Sequence, residues 1–128
     1  MNKQDFDQLV SEVGFSPVPE KFRTRMNNVV LIVSDEPDQK TREENGLTEE
    51  ETLLGLYVGV PHTERGDEYG VGVVFPDTIT LFRLPILAVA EEENLSIQKV
   101  VEDTIWHEVA HHFGLNEEEV RKKEEGRK

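Results

Sequence analysis

His107-Glu108-Val109-Ala110-His111-His112-Phe113-Gly114 is the stretch that decides how this chain is read. Its first five residues have the form HExxH. On an α-helix positions i and i+4 share a face, so His107 and His111 are able to grip one metal ion. Glu108 then stands beside that ion, placed to take a proton from a bound water. Two imidazoles with an adjacent carboxylate are the core of a zinc hydrolase.

The spacing requires a helix, and the surrounding residues supply one. Ser96 is an N-cap, and the run from Ile97 to Phe113 contains neither Gly nor Pro. At about 100° per residue, Ile97, Val101, Ile105, Val109 and Phe113 drift slowly along one side, and Val100, Trp106 and Ala110 broaden it. A helix apolar over most of its circumference is buried. Its polar sector of His107, Glu108 and His111 therefore needs partners, because an unsatisfied buried polar group costs about 1–3 kcal/mol. Gly114 suits the left-handed position that closes many helices. Asn116, with Glu119 three residues on, then has the pattern of a capping box opening a second helix. The sharp turn between them brings Glu117 back towards the metal.

HExxHxxG followed by a ligand three residues later is the metzincin layout, where that ligand is a histidine; here the position holds Glu117. The longer string HEVAHHFG resembles the bacterial minimal zincin-like metallopeptidase family. The similarity extends to LLGLYVGVPHTER (residues 53–65) and PDTITLFRLPIL (residues 76–87), and is looser towards the N-terminus. The resemblance implies a stripped-down zincin, a small mixed sheet packed on a long HExxH helix. It matches His107 and His111 to the two zinc histidines and Glu108 to the general base. Glu117 matches the third ligand by place and not by residue type, although a carboxylate is an acceptable zinc ligand. Glu118, Glu119, Asp103 and water stay open as alternatives. A gluzincin-like ligand would fall on Glu124 or Glu125, which ranks lower, and no methionine follows the motif to form a metzincin Met-turn.

The remaining composition narrows the function. The chain has 128 residues and a net charge of −13. That balance argues against nucleic acid, which needs a basic footprint, and against anionic membranes. With no cysteine there are neither disulfides nor thiolate ligands, which fits a cytoplasmic chain. No stretch reads as a signal core or a membrane span. The acidic runs Glu36–Glu51 and Glu117–Glu125 read as solvated loops or helix faces.

Along the chain, Phe6, Leu9, Val10 and Val13 have helical spacing, stopped by Gly14. Glu20 to Asn27 predicts a short helix. Val29 to Val33 predicts a strand buried on both faces. Residues 35–50 read as a mobile loop. Leu53 to Val60 predicts a second strand, and Pro61 to Gly70 a polar connection. Gly72 to Phe75 reads as a short strand and Pro76-Asp77 as a turn. Thr78 to Leu84 alternates as an amphipathic strand, and Pro85 opens a short helix through Glu92. Mixed strands and helices make the class α+β, in one domain over residues 1–128. In zincins one strand runs along the cleft and pairs with extended substrate, and Thr78–Leu84 is expected to be that open edge because it lies nearest the motif helix in sequence.

Around the motif, Asp103 is a candidate acceptor for the second N–H of a ligating imidazole, with a surface role weighed equally. His112 points about 100° away from His111, and so orients a neighbour or caps the helix end rather than ligating. His62, Arg65 and Tyr69 are candidate oxyanion donors, against a plain surface role. Trp106 and Phe113 read as core. The leading expectation is a zinc peptidase acting on a peptide or protein substrate. The alternatives are a zincin-like metal-binding domain with little proteolysis, working as an interaction or regulatory module, and a hydrolase of non-peptide amides.

Overall fold

Helix α5 (Ile97–His112) organises the chain in the computed structural model, which describes residues 1–26, 28–59 and 75–114. Ser96 caps it, its Oγ accepting from the Lys99 N–H at 3.0 Å. Val101, Ile105, Trp106, Val109 and Ala110 are fully buried along it. Each large side chain so buried contributes about 1.5–3 kcal/mol over its exposed state. Gly114 closes the helix as expected, with φ +83° and its N–H on the His111 carbonyl at 2.9 Å.

The other elements supply surfaces for α5. Helix α1 (Lys3–Val13) begins at the Asn2 cap and presents Phe6, Val10 and Val13 inward. Helix α2 (Glu20–Arg23) is shorter than the sequence suggests, but its Phe22 packs against Trp106 with ring centroids 5.6 Å apart. Helix α4 (Arg83–Glu92) starts two residues before Pro85, which sits in the first turn where its missing N–H costs nothing. Asn94, at φ +54°, turns the chain from α4 into α5, and the Leu95 N–H returns to the Ala90 carbonyl at 2.9 Å.

Strands β1 (Val29–Ser34), β2 (Gly55–Val58) and β3 (Asp77–Phe82) form a sheet in the order β1-β3-β2. β1 runs parallel to β3 with Val29 opposite Asp77, and β2 runs antiparallel with Gly55 opposite Leu81. The class is α+β, as read from the sequence.

Three expectations need correction. The strand read as Thr78–Leu84 is not an edge: β3 is hydrogen-bonded on both sides, so no substrate can pair with it. β1 is not buried on both faces, since Val30 and Ile32 are each 42% exposed while Leu31 packs on the core; helices cover one side only. The stretch 35–50 is not all loop. It holds helix α3 (Gln39–Glu44), capped by Asp38, whose Oδ1 accepts from the Thr41 N–H at 2.8 Å. The expected short strand at Gly72–Phe75 and the second helix after Asn116 fall largely or wholly outside the described residues.

Candidate active site

His107, Glu108 and His111 project from the C-terminal half of α5, where the helix passes β2. The His107 and His111 rings have centroids 5.8 Å apart, as expected of neighbours one turn apart on the same face. His107 Nδ1 lies 3.2 Å from the Asp103 carbonyl oxygen. A carbonyl only accepts, so this hydrogen bond puts the proton on Nδ1 and the lone pair on Nε2. That is the tautomer a metal-binding imidazole needs, oriented by a bond to the backbone. Asp103 thus serves His107 through its main chain. Its carboxylate bonds Lys99 Nζ at 3.1 Å, one turn back on the helix.

Glu108 turns towards the sheet. Its Oε1 accepts from the Tyr57 N–H at 3.0 Å. The parity of β2 explains why that N–H is available. The Leu54 carbonyl accepts from Phe82, and in an antiparallel pair alternate residues turn their polar groups to opposite sides. Gly55 and Tyr57 therefore direct theirs away from β3, on the side of β2 that is the sheet's outer edge among the described residues. Burial pushes the Glu108 carboxyl above the ordinary glutamate range; the Tyr57 N–H, then His111 and His107, pull the other way without cancelling it.

Gly55 is what lets the helix come this close. A Cβ there would stand 2.7 Å from Thr104 Cγ2, 3.2 Å from the Thr80 carbonyl oxygen and 3.5 Å from Glu108 Cγ. Only a residue with no side chain allows α5 and β2 to meet at this distance.

A cavity of about 330 Å³ opens beside Glu108 and His107. Leu53, Leu54, Val89, Leu95 and Val100 make its walls largely apolar, and Glu93 and Asp103 also line it. Its size falls at the lower end of the about 300–1,000 Å³ usual for ligand sites.

Sequence reasoning missed Tyr57 and Asp77. The Tyr57 hydroxyl donates to Asp77 Oδ2 at 2.8 Å, and its ring stacks on His112 with centroids 4.0 Å apart and planes 13° apart. Asp77, at the start of β3, is 8% exposed. His112 thus does orient a neighbour, as its direction on the helix suggested. The available signal was Tyr57 lying two residues after Gly55, on the same side of a strand as a glycine that marks close approach.

Glu117, Glu118, Glu119, Glu124, Glu125, His62, Arg65 and Tyr69 lie outside the described residues. Among the described residues no group of three or more His, Cys, Asp or Glu side chains is gathered to hold a metal. The two imidazoles fit half of such a site: they share a face, and one is already fixed in the ligating tautomer.

The sequence profile of zincin-like metallopeptidases matches residues 26–127, well over half of the chain. The chain belongs to the zincin-like metallopeptidase family. Its small mixed sheet and long motif helix agree with a minimal form of that fold. A conserved hypothetical protein from Thermus thermophilus is similar in structure, with a TM-score of 0.53 and 23% identity over 99% of this chain and 100% of that one. That likeness concerns the fold alone. No curated protein matches the chain. Family membership makes a metallopeptidase activity possible for the chain. Among the described residues no helix is long and apolar enough to cross a membrane.

Proposed function

We propose that this chain is a zinc-dependent peptidase in which His107 and His111 hold the metal, Glu117 completes the set and Glu108 is the general base. The observation that carries the reading is the position of Glu108. It projects from the same turns as the two imidazoles, is hydrogen-bonded to the outer edge of β2 and borders an apolar cavity.

Zinc, when bound, supplies a Lewis acid that polarises the scissile carbonyl and acidifies water. The chain's own residues do the rest. Glu108, held in place by the Tyr57 N–H, takes the proton of the attacking water and passes it to the leaving amine. The Asp103 carbonyl keeps His107 in the ligating tautomer. The outer edge of β2, and not β3, is the strand against which extended substrate lies, with Gly55 presenting its backbone polar groups there. An apolar side chain next to the scissile bond enters the cavity between Leu54, Val89 and Val100. The absence of cysteine supports a cytoplasmic location.

A second reading is a metal-binding module with little proteolysis, in which the same pair of imidazoles, one helical turn apart, holds the metal. Zinc content with peptide cleavage by wild type and Glu108→Gln separates the two. A peptidase holds zinc in both proteins and cuts only as wild type; a module holds zinc in both and cuts in neither.

A further inference from the structure

We propose that Tyr57, anchored by Asp77, is a positioning residue that holds the carboxylate of Glu108 through its own backbone N–H. The inference deepens the reading of Glu108 as general base and rests on that reading for its consequence in turnover.

β2 is four residues long and meets α5 at its outer edge. Apart from Tyr57 and the close packing of Gly55, the other described side chains of the strand do not reach the helix. Gly55 has no side chain, Val58 is 48% exposed, and Leu56 belongs to the face turned away from the helices, opposite Thr80. Within β2, Tyr57 is the residue packed on the core.

Among the described residues three contacts converge on that one residue. Its hydroxyl donates to Asp77 Oδ2 at 2.8 Å, tying it to the first residue of the central strand. Its ring lies on that of His112, at the last turn of α5. Its N–H meets Glu108 Oε1 at 3.0 Å. The ring and the N–H of Tyr57 thus both join β2 to α5 while the hydroxyl ties β2 to β3, and the first two contacts fix the distance over which the third can form. Asp77 supports the arrangement from within: it is nearly buried, and a buried carboxylate oxygen must have a donor. A strand free to slide or tilt at this point would lose the directional N–H···O bond first, because such bonds weaken steeply away from linearity.

The test uses the zinc-loaded full chain as wild type, Tyr57→Phe, Asp77→Ala and Asp77→Asn. Tyr57→Phe keeps the stacked ring and deletes the hydroxyl. Asp77→Asn keeps an oxygen that accepts from that hydroxyl and serves as the conservative rescue. The first readout is amide hydrogen exchange at Tyr57, compared with the Ile79 and Leu81 amides of β3. Tyr57→Phe and Asp77→Ala are expected to lower protection at Tyr57 by about tenfold, the scale of one hydrogen bond, with β3 unchanged and Asp77→Asn close to wild type. Zinc affinity stays near that of wild type, while kcat falls because Glu108 is displaced.

Unchanged protection at Tyr57 in both Tyr57→Phe and Asp77→Ala overturns the proposal. So does an equal loss throughout the sheet, which would make the clamp a plain stability element. If wild type cleaves no peptide, the peptidase reading fails, while the exchange measurement still decides whether Tyr57 holds Glu108.

Discussion

The backbone N–H of Tyr57 and Oε1 of Glu108 are 3.0 Å apart in space and 51 residues apart in sequence. This bond joins the motif helix to the outer edge of the sheet and holds a half-buried carboxylate where the two imidazoles of α5 also lie. Its cost is visible in the proton affinity of Glu108, raised by burial despite the N–H donor.

That shift carries a stability consequence in the metal-free protein. A carboxyl whose folded pKa lies above its unfolded value binds its proton more tightly when folded. Its favourable contribution is present below the unfolded value, near 4.5, and is lost as pH rises through the raised folded value. Glu108→Gln is neutral at all pH and keeps an oxygen for the Tyr57 N–H. Metal-free Glu108→Gln is therefore expected to melt above wild type at pH 7 and to converge with it below about pH 4. Thermal unfolding of both proteins across that range checks the sign.

Gly55→Ala introduces a Cβ 2.7 Å from Thr104 Cγ2 and 3.2 Å from the Thr80 carbonyl oxygen. Strand and helix must part, at an expected cost of about 1–3 kcal/mol, and the Tyr57–Glu108 bond lengthens with them. Adding Thr104→Ser deletes the clashing methyl while keeping the hydroxyl that donates to the Val100 carbonyl at 2.7 Å. Denaturant unfolding should show the double variant more stable than Gly55→Ala alone, with partial recovery because the Thr80 carbonyl stays close.

Trp106 is fully buried and packs on Phe22, immediately before the first motif histidine in the chain. Trp106→Ala leaves a large void beneath the site and is expected to cost about 3–5 kcal/mol. A drop in the denaturation midpoint of matching size checks it. Asp103→Asn, in contrast, keeps the main-chain carbonyl that orients His107 and alters the carboxylate that bonds Lys99. Its zinc affinity should stay near that of wild type in a competitive chelator titration.

The cavity beside Glu108 gives a specificity prediction. Val89→Trp fills space between α4 and the start of β2. Wild type is expected to favour Leu or Phe over Ala next to the scissile bond by about 10- to 100-fold, the scale of a few methylenes in an apolar pocket. Val89→Trp should reduce or reverse that preference, as read from relative kcat/KM across a peptide series.

Helix α5 was legible because everything that defines it is local: the Ser96 cap, the apolar period and the Gly114 stop. The histidine pair came with it, since i and i+4 on a helix leave no freedom. Strand order was not legible. Thr78–Leu84 lies nearest the motif in sequence, yet its backbone is satisfied on both sides by β1 and β2, a result of long-range pairing that no local pattern encodes. Helix α3 was hidden for the opposite reason. It buries no side chain, and polar contacts hold it, including the Asp38 cap, Gln39 to Glu43 at 3.1 Å and Arg42 Nη2 to the carbonyls of Thr48 and Glu51 at 2.6 and 2.7 Å. The Tyr57–Asp77–His112 cluster joins three separate elements and exists only once the sheet has formed.

Cleavage of a mixed peptide library by zinc-loaded wild type and zinc-loaded Glu108→Gln tests the central claim most directly. The account predicts cleavage by wild type, with an apolar residue beside the cut, and none by Glu108→Gln at equal zinc content. Equal cleavage by both proteins, or none by wild type, would contradict it.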